Sequence, residues 1–215
     1  EYKLITESVW NNGNTSSFNL SDGSPIIATT SITYNANTKY WIQKGNALYG
    51  ASGDKLGEKL QINNNGTIIA LASQANNSNT GYVRIYEYNS STDVWVLKTT
   101  VFGQTANKYF GRAISLIPNA SILAVSTTDD HIKVYEFNTS NWSSIRTDTI
   151  TGGNNSNTYV ENFGSDIALN SDGTIIAIGA NNYPSQNNQI YSTKGRIYIK
   201  KYVSSSWTDI GFISG

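Results

Sequence analysis

A short motif that occurs four times constrains the fold of this chain more than any other feature. Each copy has an apolar residue, a second apolar residue six positions later, then one more apolar residue and an alanine. Four copies with identical internal spacing predict a repeat protein, in which each repeat forms the same supersecondary unit. The copies are Leu20–Ala28, Ile62–Ala70, Leu116–Ala124 and Leu169–Ala177.

The motif predicts a β-hairpin. Asp22-Gly23, Asn65-Gly66 and Asp172-Gly173 are dipeptides that accept the positive φ angles of tight hairpin turns. Pro118-Asn119 stands in the third copy, which leaves its turn type open. The run after each turn has too few polar residues to be half exposed, so we expect a strand that is buried on both faces.

Two further strands follow each hairpin. Apolar and polar residues alternate over Gly81–Tyr88, His131–Phe137 and Gly195–Lys200, which indicates a half-buried third strand. A fourth strand begins near a tryptophan, after a polar turn. The tryptophans are Trp41, Trp95, Trp142 and Trp207. Four short antiparallel strands in about 40–50 residues are the size of one blade of a β-propeller.

We therefore predict an all-β fold, a β-propeller of four-stranded antiparallel blades, of which about four lie in this chain. A closed four-blade ring and a part of a longer array both fit the pattern. The predicted units are an N-terminal strand at 1–15, a short first blade at 16–53, and further blades at 54–106, 107–160 and 161–215.

Charge and composition exclude several classes of partner and site. Lys+Arg and Asp+Glu both number 15, so no net charge favours nucleic acid. The chain has no cysteine, which rules out disulfides, thiolate metal sites and cysteine nucleophiles. No apolar run approaches the ~18 residues of a membrane span, so we expect no membrane insertion.

The run Phe163–Ala180, followed by Gly195–Ile199, resembles FG-GAP-type propeller repeats. Leu56–Tyr88 and Phe110–Phe137 look like further copies. Such repeats are similar to those of integrin α-chain heads and of many extracellular, algal and large-virus proteins. The resemblance implies an adhesive or structural module at an extracellular or virion-type particle surface.

The chain departs from the calcium-binding members of that family. Those units carry alternating Asp or Asn ligands closed by glycine. Here Asp22 and Asp172 are the only carboxylates in the glycine-bearing turns. Because a calcium site needs six to eight oxygen ligands, usually with several carboxylates, we predict no calcium, no other metal and no cofactor.

One short run of titratable residues has two interpretations. His131, the only histidine, follows Asp129 and Asp130, and the three form either an acid–base or metal cluster or an ordinary polar loop before the third strand. We favour the loop, because no matching cluster is visible elsewhere. The sequence thus predicts no catalytic residue, although a radial fold could bring distant carboxylates together.

Aromatic residues and glycosylation sequons provide candidate contact sites. Repeat phase assigns Trp95, Trp142 and Trp207 to packing. Tyr183 and Tyr191 lie in a polar insertion, where we expect contact with a partner or ligand. Loop sequons predict N-glycosylation, if the chain is secreted, at Asn76, Asn89, Asn138 and Asn154.

The main functional prediction is a non-enzymatic structural or adhesive module, extracellular or on a particle surface. Its partners would be copies of itself or another surface protein, and possible ligands include glycans. The first alternative is a lectin-like propeller that binds carbohydrate through aromatic rings. The second alternative is a hydrolase, for which we expect a pocket with convergent carboxylates or with His131 and a partner side chain.

Overall fold

The computed structural model describes residues 42–152, 161–182 and 194–215. The chain divides into two compact units, 1–42 and 43–215, and every element below belongs to the second. The predicted N-terminal strand and most of the first blade therefore lie outside the described residues. Among the described residues, no helix is long and apolar enough to cross a membrane.

In the described part of the chain, twelve strands form three sheets of four strands each. The first sheet contains β1 (Lys59–Ile62), β2 (Ile68–Ser73), β3 (Tyr82–Asn89) and β4 (Val94–Phe102), with a short helical turn α1 (Asn76–Asn79) between β2 and β3. The second contains β5 (Ile114–Leu116), β6 (Ile122–Ser126), β7 (His131–Asn138) and β8 (Ser143–Thr151). The third contains β9 (Phe163–Leu169), β10 (Ile175–Ala180), β11 (Arg196–Val203) and β12 (Ser206–Ser214).

Each sheet is an antiparallel meander, in which consecutive strands are hydrogen-bonded neighbours. The all-β prediction is confirmed for the described residues. Phe163 and Gly164 are the first two residues of β9.

The repeated motif forms the turn between the first and second strands of each sheet, and these three turns share one geometry. Gly66 and Gly173 have φ angles of 67° and 72°, as the turn chemistry predicts. In the third copy Ala120 takes the same place with φ 63°, and its N–H donates to the Ile117 carbonyl at 2.8 Å. The turn at Pro118-Asn119 is therefore built like the other two, with an alanine in the left-handed conformation.

A second equivalence marks the start of each third strand. The residue before it has a positive φ angle and is Gly81, Asp130 or Gly195. Its carbonyl accepts the N–H of the glycine after the fourth strand, at 2.9, 2.8 and 3.2 Å respectively. Two of these three positions hold glycine, whereas Asp130 holds the third.

The sheets pack face to face. Between the first and second sheets, Ala70, Val83 and Ile85 are buried in one cluster with Leu123 and Val125. Trp142 lies in the same cluster. Each fully buried side chain of this size stabilises the fold by roughly 1.5–3 kcal/mol.

The second sheet is also covered on its other face. Ile132 and Val134 of β7 are buried in a cluster with Phe163, Ile176 and Ile178 of the third sheet, and Tyr198 and Trp207 pack against it. All five residues of β6 are buried, as predicted for a strand with two buried faces, whereas buried and partly exposed residues alternate along β10. Alternate residues of the second sheet therefore serve two interfaces.

Candidate active site

The connection between β6 and β7 carries three consecutive titratable residues, and β7 begins at the third, His131. The Thr127 N–H donates to the His131 carbonyl at 3.0 Å, which closes the loop. The Thr127 hydroxyl lies 2.5 Å from Asp129 Oδ1. The loop is thus held by hydrogen bonds on both sides of Asp129.

One ring nitrogen of His131, Nδ1, has a hydrogen-bond partner, and the other has none among the described residues. Its Nδ1 lies 2.6 Å from the Asp129 backbone oxygen. Because a carbonyl oxygen can only accept, Nδ1 carries a proton, and in the neutral ring Nε2 holds the lone pair. The Asp129 carboxylate lies 3.4 Å from Nδ1, and 40% of the His131 side chain is exposed. In the neutral ring Nε2 is therefore the nitrogen that can accept a proton.

The charge on Asp129 is fixed by its neighbours. Burial alone raises the pKa of this carboxyl, but the Thr127 hydrogen bond and the positive charges of His131 and Lys108 outweigh it, so the pKa is lowered. Lys108 Nζ lies 3.7 Å from Asp129 Oδ2. Asp129 is therefore an anion at neutral pH and stabilises a protonated His131.

These side chains line a pocket of about 200 Å³. The wall comes from the end of β4 and the turn after it, 102–105, and from Phe110 and Tyr135. Burial raises the pKa of Tyr135 to about 12, so its hydroxyl stays protonated and can donate. Lys133 also lines the pocket.

Asp130 faces a different set of groups. It is 8% exposed, and burial raises the pKa of its carboxyl. The nearby backbone N–H of Phe163 and the positive charge of Arg112 act against burial and lower the pKa. Arg112 in turn donates to Asn162 Oδ1 at 2.6 Å.

Lys108 is a pocket residue that the sequence did not single out as functional. It precedes Gly111 by three positions, as Asp54 precedes Gly57 and Glu161 precedes Gly164. The two acids are buried and accept tyrosine hydroxyls: Asp54 Oδ2 from Tyr82 at 2.8 Å and Glu161 Oε2 from Tyr198 at 2.7 Å. Aligning the repeats would have shown that the second sheet alone has a cation here.

The buried Asp54 makes acid stability sensitive to one carboxyl. Hydrogen bonds from Asn76 and then Tyr82 hold its pKa below the ordinary value of 3.8, against the effect of burial. Its contribution is present above the unfolded value and is lost as pH falls through the folded value. We expect Asp54→Asn to lose less free energy of unfolding than wild type between about pH 5 and about pH 2. Urea unfolding measures this, with Asp209→Asn as the exposed control; an unchanged pH dependence in Asp54→Asn contradicts the prediction.

No three His, Cys, Asp or Glu side chains converge as metal ligands within 42–152, 161–182 and 194–215. A second groove, of about 320 Å³, runs between 148–151 of β8 and Lys200 and Trp207 of the third sheet. It has no histidine in its wall. The His131 pocket is therefore the stronger candidate for acid–base chemistry.

The predicted contact and glycosylation residues fall in different places. Tyr183, Tyr191 and Asn154 lie outside the described residues. Asn89 and Asn138 are exposed at the ends of β3 and β7, and each accepts a backbone N–H two residues later. Asn76 is half-buried and donates to Asp54 Oδ1 at 2.7 Å, so its amide nitrogen is already engaged. N-glycosylation at these positions stays a prediction.

No protein-family model matches this chain, and no curated protein matches it. One similar solved structure is a "putative 6-phosphogluconolactonase" from Bacteroides fragilis, with TM-score 0.53 and 17% identity over 75% of this chain. The chain spans about 40% of the length of that lactonase. A second is KlHsv2 with loop 6CD replaced by a Gly-Ser linker, with TM-score 0.43 and 20% identity over 72% of this chain and 44% of that one.

The first of these likenesses corrects the main functional prediction. A structural or adhesive module is contradicted, because the solved structure that shares the fold is named a "putative 6-phosphogluconolactonase". The likeness favours the second alternative, the hydrolase. The sequence favoured a loop for His131 because no matching cluster is visible elsewhere. Lys108 and residues 102–105, which complete the pocket, lie more than 20 positions earlier in the chain.

Proposed function

We propose first that the three sheets are consecutive blades of a β-propeller. Neighbouring sheets pack face to face, and each has the same strand order and the same turn and strand-end hydrogen bonds. Repeated sheets with buried faces on both sides are typical of propeller blades. The fold likeness to the lactonase supports the same arrangement. Membership of the FG-GAP-type repeats stays a prediction.

We propose second that the chain is a hydrolase of esters or lactones that uses the His131 pocket. One observation carries this proposal: the Nδ1–H of His131 is held by the Asp129 carbonyl at 2.6 Å, with the Asp129 carboxylate 3.4 Å away. This arrangement leaves Nε2 as a general base in a pocket with lysines and a tyrosine hydroxyl.

The chemistry follows from these positions. Nε2 of His131 takes a proton from a water as the water oxygen bonds the carbonyl carbon of the substrate. The Asp129 carboxylate stabilises the imidazolium, and Lys108, Lys133 and the Tyr135 hydroxyl supply positive charge and a hydrogen-bond donor for the oxyanion. The carbon–oxygen bond to the leaving alkoxide then breaks, and the imidazolium returns the proton to that alkoxide.

The experiment is a hydrolysis screen with the purified 215-residue chain. The panel contains aryl esters, simple γ- and δ-lactones and a phosphorylated sugar lactone, the last chosen after the name of the similar structure. We expect saturable hydrolysis of at least one member that disappears when the chain is unfolded by heat. Hydrolysis of every member at the rate of the heat-unfolded sample would overturn the proposal.

A further inference from the structure

The Thr127 hydroxyl makes a contact that the other two sheets do not repeat. In each sheet one residue pairs with the first residue of the third strand, and these residues are Ser73, Thr127 and Ala180. Ser73 donates its hydroxyl to the backbone carbonyl of Asp54, and Ala180 has no hydroxyl. Thr127 instead directs its hydroxyl to a carboxylate, 2.5 Å from Asp129 Oδ1. The repeated fold therefore does not require this contact, which belongs to the sheet that carries the histidine.

Both carboxylate oxygens of Asp129 are engaged away from the imidazole. Oδ1 accepts the Thr127 hydroxyl, and Oδ2 lies 3.7 Å from Lys108 Nζ. The distance from Oδ1 to His131 Nδ1 is 3.4 Å, whereas Nδ1 lies 2.6 Å from the Asp129 backbone oxygen. The Thr127 oxygen is also 3.0 Å from the His131 carbonyl, but the shorter contact to a charged acceptor is the stronger one. The imidazole is thus held by a neutral carbonyl, with a carboxylate just beyond hydrogen-bonding distance.

We propose that Thr127 is a positioning residue that keeps the Asp129 carboxylate off Nδ1 and so sets the basicity of His131. Without the hydroxyl, Oδ1 loses its donor and can turn toward the N–H of the imidazole. A carboxylate in direct contact stabilises the imidazolium more than the neutral ring, so His131 would hold its proton to higher pH. A general base must be unprotonated, and this consequence for catalysis rests on the proposed hydrolase.

Two substitutions separate the hydroxyl from the rest of the side chain. Thr127→Val removes the hydroxyl and keeps a branched side chain of nearly the same shape, whereas Thr127→Ser keeps the hydroxyl and removes the methyl. Ala180 shows that this position in the fold accepts a side chain without a hydroxyl. Neither substitution alters the charged groups around the imidazole. These are Asp129, Asp130 and Lys133 from its own loop and strand and Lys108 from the connection between β4 and β5.

The first readout is the pKa of His131, from nitrogen NMR of the full chain labelled with ¹⁵N-histidine across a pH series. His131 is the only histidine, so its two ring nitrogens give the only imidazole signals. We expect the pKa to rise by about one unit or more in Thr127→Val and to stay within about 0.3 unit of wild type in Thr127→Ser. An unchanged or lower pKa in Thr127→Val, or an equal rise in both variants, would show that the hydroxyl does not set the basicity.

A second background shows whether the carboxylate carries the effect. In Asp129→Asn no carboxylate remains to turn toward Nδ1, so adding Thr127→Val should leave the pKa of His131 within about 0.3 unit of that of Asp129→Asn alone. A purely structural effect of losing the hydroxyl would persist in this background. The same rise with and without the carboxylate would therefore contradict the positioning role.

The last readout is the pH dependence of kcat on the substrate found in the screen, and only this part depends on the hydrolase. We expect the acidic limb of the profile to move to higher pH with the pKa of His131. At about pH 6, kcat should then fall about 10-fold in Thr127→Val and stay within about twofold of wild type in Thr127→Ser. An unmoved limb alongside a raised pKa would contradict the role of Thr127 in catalysis. Absence of activity in wild type counts against the hydrolase alone, because the NMR measurement does not need a substrate.

Discussion

The variant His131→Asn is expected to lower kcat for ester or lactone hydrolysis by about 10²–10⁴-fold, the range typical of a lost general base. The asparagine amide can still donate to the Asp129 carbonyl that now holds Nδ1, which lies 2.6 Å away. The loop therefore keeps its hydrogen bond while Nε2, the basic atom, is gone. Initial rates across a range of substrate concentrations measure the effect.

The matched control is Lys98→Gln, which removes an exposed ion pair with Glu87 outside the His131 pocket. We expect this variant to keep wild-type kcat within about twofold, because surface substitutions of this kind have small effects. Both proteins must show the thermal unfolding midpoint of wild type within a few degrees. If His131→Asn hydrolyses the substrate as fast as Lys98→Gln does, His131 is not the base.

The largest effect on stability is expected for Gly81→Ala. Gly81 has a φ of 79°, and an added Cβ would lie 2.2 Å from the carbonyl oxygen of Phe110, in the connection between β4 and β5. The left-handed conformation costs roughly 1–2 kcal/mol for a residue with Cβ, and overpacking typically costs a further 1–3 kcal/mol. The free energy of unfolding should therefore fall by about 2–5 kcal/mol, as measured by urea denaturation.

Gly57→Ala separates the two causes. Gly57 has a φ of 100°, but nothing lies within 4 Å of an added Cβ. This variant should pay only the conformational cost, about 1–2 kcal/mol. The difference between the two variants then measures the close approach of the Phe110 carbonyl to Gly81. Equal losses in both variants would mean that the first and second sheets do not approach each other at this point.

The strands were predictable from sequence because local chemistry determines them. The spacing from Ile62 to Ile68 and from Leu169 to Ile175 requires a tight turn, and Gly66 and Gly173 supply the positive φ that it needs. The uninterrupted apolar run Ile122–Val125 likewise predicted a strand with two buried faces. These features depend on residues within about ten positions of one another.

The site was not predictable in the same way, because it depends on contacts between repeats. The connection before His131 contains four residues, 127–130, whereas the one before Tyr82 contains eight, 74–81. This difference in length hides the equivalence of Asp130 with Gly81, which the shared bond to the glycine after the fourth strand reveals. Lys108 enters the pocket through the packing of the strands, which spacing alone does not show.

The ambiguity of the Asp129–His131 run has a physical origin. A polar loop and an acid–base pair need the same residue types, and they differ in the partner that the imidazole finds. Here the Asp129 carbonyl is that partner, at 2.6 Å. Every residue type has a backbone carbonyl, so the sequence does not show which one an imidazole contacts. Only the folded loop distinguishes the two interpretations.

Carbethoxylation of the single histidine tests directly whether His131 is the base in the proposed hydrolysis. Diethylpyrocarbonate reacts with the unprotonated ring nitrogen, and mass spectrometry counts the modified histidine, of which the chain has one. We expect hydrolytic activity to fall in proportion to the fraction of His131 modified, and bound substrate to slow the modification. Hydroxylamine should restore the unmodified histidine and the activity together. Full activity in a sample in which His131 is completely modified would contradict that role of His131.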